Sequence, residues 1–176
     1  MRESYFSADW HLFHRQVIEY CNRPFKNVRE MHESIIVEHN KTVKETDQFW
    51  LIGDVTMLGP SHGQRVQKVL EKFNGQMHLV LGNHDTWKPQ MYIDYGFASM
   101  HTVMWFEAEG YRFYLAHDPS MYTVIENDPK AVLLCGHIHK LFKTLLPEKR
   151  VINVGIDVWD YKPVSGETIL NLLSEK

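Results

Sequence analysis

The sequence predicts an α/β protein in which two mixed sheets pack face to face, with helices outside them. Short apolar runs typical of strands alternate with segments of helical periodicity, and two later segments have the form of hairpins, which adds antiparallel pairs to helix-linked strands. Two sheets packed in this way would cover every apolar face. The 176 residues suffice for one substantial core and contain no repeat or linker, so residues 1–176 are expected to form a single domain.

Two segments carry a helical stripe of apolar residues. The stripe of the first, residues 28–45, consists of Val28, Met31, Ile35, Ile36 and Val43. That of the second, residues 62–73, consists of Val66, Val69, Leu70 and Phe73. Residues 168–173 follow Gly166 as a last short element, for which helix and strand both stay open.

Two pairs of apolar segments predict hairpins. Residues 103–108 and 111–115 flank the turn Glu109-Gly110, and residues 141–146 and 151–154 flank the polar segment 147–150. Strand pairs of this kind beside helix-linked strands predict sheets of mixed direction.

Composition excludes several functional classes. The net charge of −3 offers no general attraction to polyanions, so stable nucleic-acid binding is not expected. The first residues lack the apolar region of a secretory signal, and no run reaches the length of a membrane span. Cys21 and Cys135 do not form a metal-binding or redox pair, and Cys135 is expected in the core. A cytoplasmic protein without a membrane anchor is therefore expected.

The most informative pattern occurs five times: a strand-like apolar run ends abruptly in a side chain able to bind a cation. The endings are Asp9-Trp10-His11, Asp54, Asn83-His84-Asp85, His117-Asp118 and His137-Ile138-His139. In layered α/β folds, ligands bind in the crevice beyond the carboxyl ends of the strands. We therefore expect these side chains to meet on one rim and to form one site.

The types of side chain indicate what this site would hold. The seven candidate ligands are Asp9, His11, Asp54, Asn83, His117, His137 and His139. Carboxylate, amide and imidazole ligands without thiolates suit Mn, Fe, Zn or Ni. Seven ligands are too many for one catalytic ion, so two ions that share a bridging carboxylate are expected. A glycine before Asp54, Asn83 and His137 would allow a sharp turn and a close approach to an ion or phosphate.

The ordered series Asp9-x-His11, Gly53-Asp54, Gly82-Asn83-His84-Asp85, His117 and Gly136-His137-Ile138-His139 resembles the calcineurin-like metallophosphoesterases, including small bacterial and phage members. The resemblance spans most of the chain. It implies the four-layer α/β/β/α sandwich of metallo-dependent phosphatases. It also implies one cation held by Asp9, His11 and His139, a second held by Asn83, His117 and His137, and Asp54 between them. Manganese is the favoured metal.

Residues and resemblance together predict hydrolysis of a phosphoester. Two divalent cations would lower the pKa of a bridging water and clamp the phosphoryl oxygens, so that hydroxide attacks phosphorus in line. His84 is not needed as a ligand and is expected to protonate the leaving alkoxide, while Asp85 would orient or charge His84. Asn83 and His84 are also expected to contact the substrate.

Other residues near the motifs allow two interpretations each. His14 could contact substrate or support a ligand, or lie at the edge of the core. Arg23 could bind a phosphate oxygen through its planar guanidinium, or be a solvated turn residue. Asn40 and Asn153 could hydrogen-bond the rim, or cap helices and turns.

The preferred function is that of a phosphodiesterase or phosphomonoesterase, with diesters such as cyclic or linear nucleotides slightly favoured because the chain has no room for a large cap domain. One alternative is a metal-binding scaffold with weak catalysis. The other is a nuclease component that acts with protein partners on DNA. The oligomeric state is not predicted.

Overall fold

A computed structural model describes residues 4–145 and 150–174 and forms two sheets of five strands each. The first sheet has the order β10-β1-β2-β3-β4. Its strands are β1 (Ser4–Ser7), β2 (Gln48–Ile52), β3 (Gln76–Val80), β4 (Ser99–His101) and β10 (Val164–Ser165). Strands β1 to β4 are parallel and β10 is antiparallel to β1, so the sheet is mixed, as expected.

The second sheet has the order β5-β6-β7-β9-β8. Its strands are β5 (Met104–Ala108), β6 (Tyr111–Leu115), β7 (Ala131–Cys135), β8 (Thr144–Leu145) and β9 (Val151–Asn153). Strands β6, β7 and β9 are parallel, whereas β5 and β8 pair antiparallel at the two edges. The first expected hairpin is confirmed. For the second, the antiparallel pairing of its strands is confirmed, but β8 begins at Thr144 and not at Leu141. Residues 146–149 of the second lie outside the described part of the chain.

Six α-helices accompany the described strands. They are α1 (Arg15–Tyr20), α2 (Val28–Thr42), α3 (Gly63–Leu70), α4 (Pro89–Asp94), α5 (Tyr122–Ile125) and α6 (Gly166–Ser174). Helix α2 begins where the side chain of Asn27 accepts a hydrogen bond from the amide of Glu30, as an N-cap does. It ends before Val43, which is extended, so the expected helix over 28–45 is confirmed with an earlier end. The C-terminal element is a helix.

The expected helix over 62–73 is shorter than its apolar stripe. Residues Pro60–His62 form a 3₁₀ turn, α3 follows, and the chain then turns so that Phe73 donates to the carbonyl of Leu70. Val66, Leu70 and Phe73 are buried, as expected.

Alternation along the strands creates the layers, because successive side chains of a strand point to opposite faces. Every residue of β7 is buried: Val132 and Leu134 face the core between the sheets, and Leu133 faces the core under α5. On the first sheet, Phe49 packs under α2 and α3, whereas Ile52 faces the second sheet. The result is the predicted arrangement of two mixed sheets flanked by helices.

Candidate metal centre and active site

The five motif endings lie together at one edge of the sandwich. Strands β1, β2 and β3 are parallel, as are β6 and β7, so their carboxyl ends meet. Direct bonds then join the turns. The amide of Asp9 donates to the carbonyl of Gly53 (3.1 Å), and the amide of His137 donates to the carboxylate of Asp9 (3.0 and 3.1 Å). The prediction that distant motifs form one rim is confirmed.

Five of the seven candidate ligands have a left-handed backbone. Their φ angles are 60° for Asp9, 47° for His11, 59° for Asp54, 75° for His137 and 47° for His139. Side chains other than glycine rarely adopt this region, and each such residue costs on the order of 1–3 kcal/mol unless its surroundings enforce it. The hydrogen bonds between turns provide that enforcement, so the strain is concentrated in the candidate ligands.

Three groups of three described side chains have ligand atoms within 4.8 Å of one another. One of them, Cys21, His139 and Asp157, contains a single predicted ligand. The other two are Asp9, His11 and His139, and Asp9, Asp54 and His117. Asp54 reaches both groups, because its Oδ2 lies 3.4 Å from Nε2 of His11 and 3.3 Å from Nε2 of His117. Both carboxylates therefore lie between the two sets of imidazoles.

The ring nitrogens of this centre fit a divalent cation. His11 is buried, and neither of its nitrogens makes a hydrogen bond with the described residues. His117 uses Nδ1 on the carbonyl of Ile52 (2.8 Å), whereas its Nε2 is buried without an aligned hydrogen-bond partner. A buried polar atom without a partner is costly, so these nitrogens match the lone pairs that a cation requires.

Electrostatics point to the same conclusion. Burial lowers the pKa of His11 to about 3, which keeps the ring neutral and able to bind a cation. Burial also opposes the charge on His117 and His139, but nearby carboxylates dominate. Asp54 and Asp9 raise the pKa of His117 to about 9, and the bond to Asp157 raises that of His139 to about 10. The centre thus favours positive charge at the positions where cations would bind.

The remaining candidates form the open side of the centre. Nδ1 of His137 lies 2.9 Å from Oδ1 of Asn83, and both residues are exposed. The exposed His84 donates its backbone amide to Oδ1 of Asp54 (3.0 Å), and its ring lies 5.5 Å from that of His11. His84 is therefore next to both groups of ligands while its ring belongs to neither.

Asp85 differs from expectation. It does not contact the ring of His84 in the described structure. Its buried carboxylate accepts hydrogen bonds from the backbone amides of Asp54 (2.8 Å), Val55 (3.0 Å) and Gly82 (2.8 Å). Burial raises its pKa to about 6 in spite of these bonds. Asp85 fixes the backbone on which Asp54 stands, so the expectation that it orients or charges His84 is wrong.

Arg23 fits neither of its interpretations. Its side chain has an exposed fraction of 0%, so it is not a solvated turn residue and has no exposed atom for a substrate. The guanidinium forms a bidentate ion pair with Asp157 (2.8 Å for each bond). It also donates hydrogen bonds to the carbonyls of Asp9 (2.8 Å) and Trp10 (3.2 Å). It holds the turn that carries Asp9 and His11.

Asp157 was missed by the sequence interpretation. Its carboxylate pairs with Arg23 and also lies 2.8 Å from Nδ1 of His139, which directs the other ring nitrogen towards Asp9 and His11. A carboxylate behind a ligand histidine fixes the orientation of the ring and raises its basicity. No strand-end motif marks Asp157, which lies in a 3₁₀ turn (Ile156–Val158).

The structure also shows where three other residues with two possible roles lie. Asn153 is buried and donates to the carbonyls of His139 (2.7 Å) and Phe142 (2.8 Å), so it supports the rim. Asn40 bonds the turn at Lys72 and Asn74 instead, away from the rim. His14 lines a cavity beside His11 and His84, where it could reach a substrate.

Two glycines are required by the close packing of the centre. Gly53 has a φ of +85°, and a Cβ there would lie 2.2 Å from Nδ1 of His117. A Cβ on Gly82 would lie 2.3 Å from Oδ1 of Asp54. Side chains at these positions would displace the ligands themselves, which agrees with the role expected for glycines in these motifs.

The model of the calcineurin-like phosphoesterase superfamily domain matches residues 9–169 of this chain. The chain belongs to this superfamily. The match begins at the first ligand and includes all five motifs, so the resemblance noted from the sequence is confirmed. The protein is a metal-dependent phosphoesterase, a hydrolase of phosphoric esters.

One relative and two solved structures are similar to this chain in sequence or fold. An uncharacterised protein of Methanocaldococcus jannaschii is 31% identical over 179 residues, which cover 99% of this chain and 93% of that protein. The crystal structure of a protein of unknown function from Aquifex aeolicus has a TM-score of 0.76 at 23% identity and covers 96% of this chain and 98% of its own. An archaeal phosphodiesterase has a TM-score of 0.53 at 18% identity, with 86% and 82% covered.

Across residues 4–145 and 150–174, no helix is both long and apolar enough to cross a bilayer. Cys21 and Cys135 are both free thiols, and Cys135 is buried in the core as expected.

Proposed function

We propose that this chain is a phosphodiesterase whose rim holds two divalent cations. The observation that carries the proposal is the pair of ligand groups that share carboxylates, together with buried imidazole nitrogens that make no other bond. One cation would lie among Asp9, His11 and His139, and the other among Asn83, His117 and His137. Asp54 would contribute to both, because it approaches His11 and His117 equally closely.

Divalent cations bound in such a site supply a water activated as nucleophile near neutral pH and positive charge against the phosphoryl oxygens. The residues of the chain would bind the substrate and supply the proton. Asn83 and His84 lie at the exposed mouth, where a phosphate enters. His84 is the imidazole beside both ligand groups that is not a ligand, so it donates a proton to the oxygen of the leaving alcohol.

Two cavities flank the rim and support a diester substrate. A cavity of about 600 Å³ is lined by His11, His84 and His139. A cavity of about 440 Å³ on the opposite side is lined by Asn83, His117 and His137. A phosphomonoester carries one organic group, whereas a diester carries two, so a phosphate at the rim of this chain would have space for a substituent on each side.

The proposal includes manganese as the favoured metal and a small ester, such as a nucleotide, as substrate. Carboxylate, amide and imidazole ligands without thiolate match Mn, although Fe, Zn and Ni share this preference. A cytoplasmic location fits two free thiols, one of which is partly exposed.

The test is reconstitution of metal-free protein with Mn, Ni, Zn and Fe in turn, followed by assays with matched chromogenic mono- and diesters and with cyclic nucleotides. We expect uptake of two equivalents of metal and faster turnover of diesters than of monoesters. Metal uptake without turnover of any ester would favour the binding scaffold. Binding to DNA with a steep dependence on salt would favour the nuclease component.

A further inference from the structure

The cavity on the His84 side lies next to a site that attracts cations, but no carboxylate is among its lining residues. One wall is formed by α1 and the turn after it, with the buried Val17 and with Tyr20, whose exposed fraction is 78%. The other walls are His84, His139 and Lys140. No carboxylate lines this cavity, although carboxylates lie directly behind the histidines. The remaining lining residues are His11, His14, Cys21 and Asn22. The cavity therefore offers a tyrosine ring, imidazole rings and one aliphatic side chain, with the cation of Lys140 at the edge.

Lys140 is placed to bind an anion. Its Nζ donates to the carbonyl of Asn22 (3.1 Å), which ties the turn after His139 to the turn after α1. This bond uses one of the three donors of the ammonium group. Within the described part of the chain, no carboxylate forms an ion pair with Lys140. The two remaining donors are thus available to a ligand in the cavity.

The position of His84 determines which part of the substrate this cavity would receive. His84 lines the cavity beside Tyr20, and not the cavity beyond His117. A general acid must lie within reach of the oxygen that it protonates, which is the oxygen of the leaving alcohol. With His84 as the proposed general acid, the leaving alcohol would point into the cavity on the His84 side, and the retained ester group would point into the other.

We propose that this cavity binds an aryl or heteroaryl leaving alcohol that carries an anionic substituent. The ring would pack on Val17 and Tyr20, and the anionic group would reach Lys140. This inference rests on the proposed phosphodiesterase function and specifies its substrate class. An apolar wall with an exposed tyrosine favours an aromatic ring over an alkyl chain, and the single unpaired cation favours an added negative charge.

The kinetic test uses two substrates, methyl phenyl phosphate and methyl 3-carboxyphenyl phosphate, with wild-type protein, Tyr20→Ala and Lys140→Met. For each substrate, kcat/KM of the variant is divided by kcat/KM of the wild type. The intrinsic reactivity of the ester cancels in this ratio. We expect Tyr20→Ala to lower kcat/KM for both substrates by about threefold to tenfold, through KM. We expect Lys140→Met to lower it by about threefold to tenfold for the carboxyphenyl ester alone. Equal effects of Lys140→Met on both esters would contradict the proposal.

Matched controls use residues far from the rim. Trp105→Ala removes an exposed aromatic ring from β5, and Lys68→Met removes an exposed cation from α3. Neither substitution should change kcat/KM for either substrate. A loss in these variants equal to that in Tyr20→Ala or Lys140→Met would show that general destabilisation causes the effect, and the proposal would fail.

A binding measurement separates this proposal from the function on which it rests. Titration of metal-loaded protein with 3-hydroxybenzoate, followed by NMR, should shift the ring resonances of Tyr20, and Lys140→Met should weaken binding by the same threefold to tenfold. If the wild type hydrolyses neither ester, the proposed function fails, and the cavity is judged by this titration alone. If turnover is normal but Lys140→Met binds 3-hydroxybenzoate as tightly as the wild type, the assignment of the cavity fails alone.

Discussion

The two sides of the metal centre differ in how firmly the protein holds them. On the His139 side, Arg23 and Asp157 are fully buried and brace both ligand turns through bonds of 2.8 Å. On the opposite side, Asn83 and His137 are exposed and bonded to each other. The braced side is built before any cation arrives, whereas the open side must order exposed side chains on binding.

Because of this difference, the two sides are suited to different roles. Exposed side chains lose rotamer freedom when they bind, and a preorganised site avoids that cost. The braced side is therefore suited to retaining a cation. The open side is suited to admitting the substrate. The exposed His84, which lines the cavity on the braced side, is suited to proton transfer. Variants on each side, and at the residues that both sides share, test this difference.

The largest effect is expected for His84→Ala. Loss of a positioned general acid should lower kcat by about 10²- to 10⁴-fold. Cation binding should be unchanged, because the His84 ring belongs to neither ligand group. Metal analysis of the purified variant beside its kinetics checks both parts. A variant that keeps full activity would remove His84 from the mechanism, and one that loses a cation would make it a ligand.

Gly53→Ala tests the close packing beneath the metal centre, which both sides share. The added methyl group would lie 2.2 Å from the ring of His117 at a φ of +85°, so strain and overpacking should cost on the order of 3 kcal/mol of unfolding free energy. Chemical denaturation measures this loss. Gly59→Ala is the matched control, since a Cβ at Gly59 meets no atom within 4 Å. Equal stability of both variants would show that the packing around His117 is looser than described.

Asp157→Asn tests the brace. The substitution keeps the shape but removes the charge that holds Arg23 and orients His139, so cation affinity on the braced side should fall by about 10- to 100-fold. Isothermal titration with Mn measures this change. Asp128→Asn is the control, because Asp128 pairs with Arg112 (2.6 Å) away from the rim. The account predicts that the control alters stability only; unchanged affinity in Asp157→Asn would contradict the brace.

The smallest effect concerns the wild-type protein. Stepwise titration should resolve two cations whose affinities differ by about tenfold, equivalent to about 1.4 kcal/mol. His137→Ala should weaken the second step and leave the first unchanged. Uptake of both cations with one affinity, or loss of the tighter step in His137→Ala, would reverse the assignment of the two sides.

The sequence was sufficient to predict the two mixed sheets and the rim where the candidate ligands meet, for a physical reason. Each ligand follows an apolar run with strand character, and parallel strands bring their carboxyl ends to one edge. The residue types at these ends, Asp54 and His117 among them, restrict the chemistry further. Periodicity and strand ends are local signals, so they can be read without knowing which segments meet.

The supporting residues could not be predicted in this way. Arg23 and Asp157 are 134 positions apart, and nothing local to either residue reveals the other. Asp85 sits beside His84 in sequence, but its carboxylate turns to the backbone around Asp54 instead. Hydrogen bonds between distant segments depend on the completed fold. For this reason the candidate ligands could be proposed from the sequence, whereas the residues that support them could not.

The most direct test is the location of cations in crystals of manganese-loaded protein, by anomalous scattering at the manganese edge. We expect two peaks, one among Asp9, His11, His139 and Asp54, and one among Asp54, Asn83, His117 and His137. A single peak at the rim, or peaks that Asp54 does not join, would contradict a centre of two cations with a shared carboxylate.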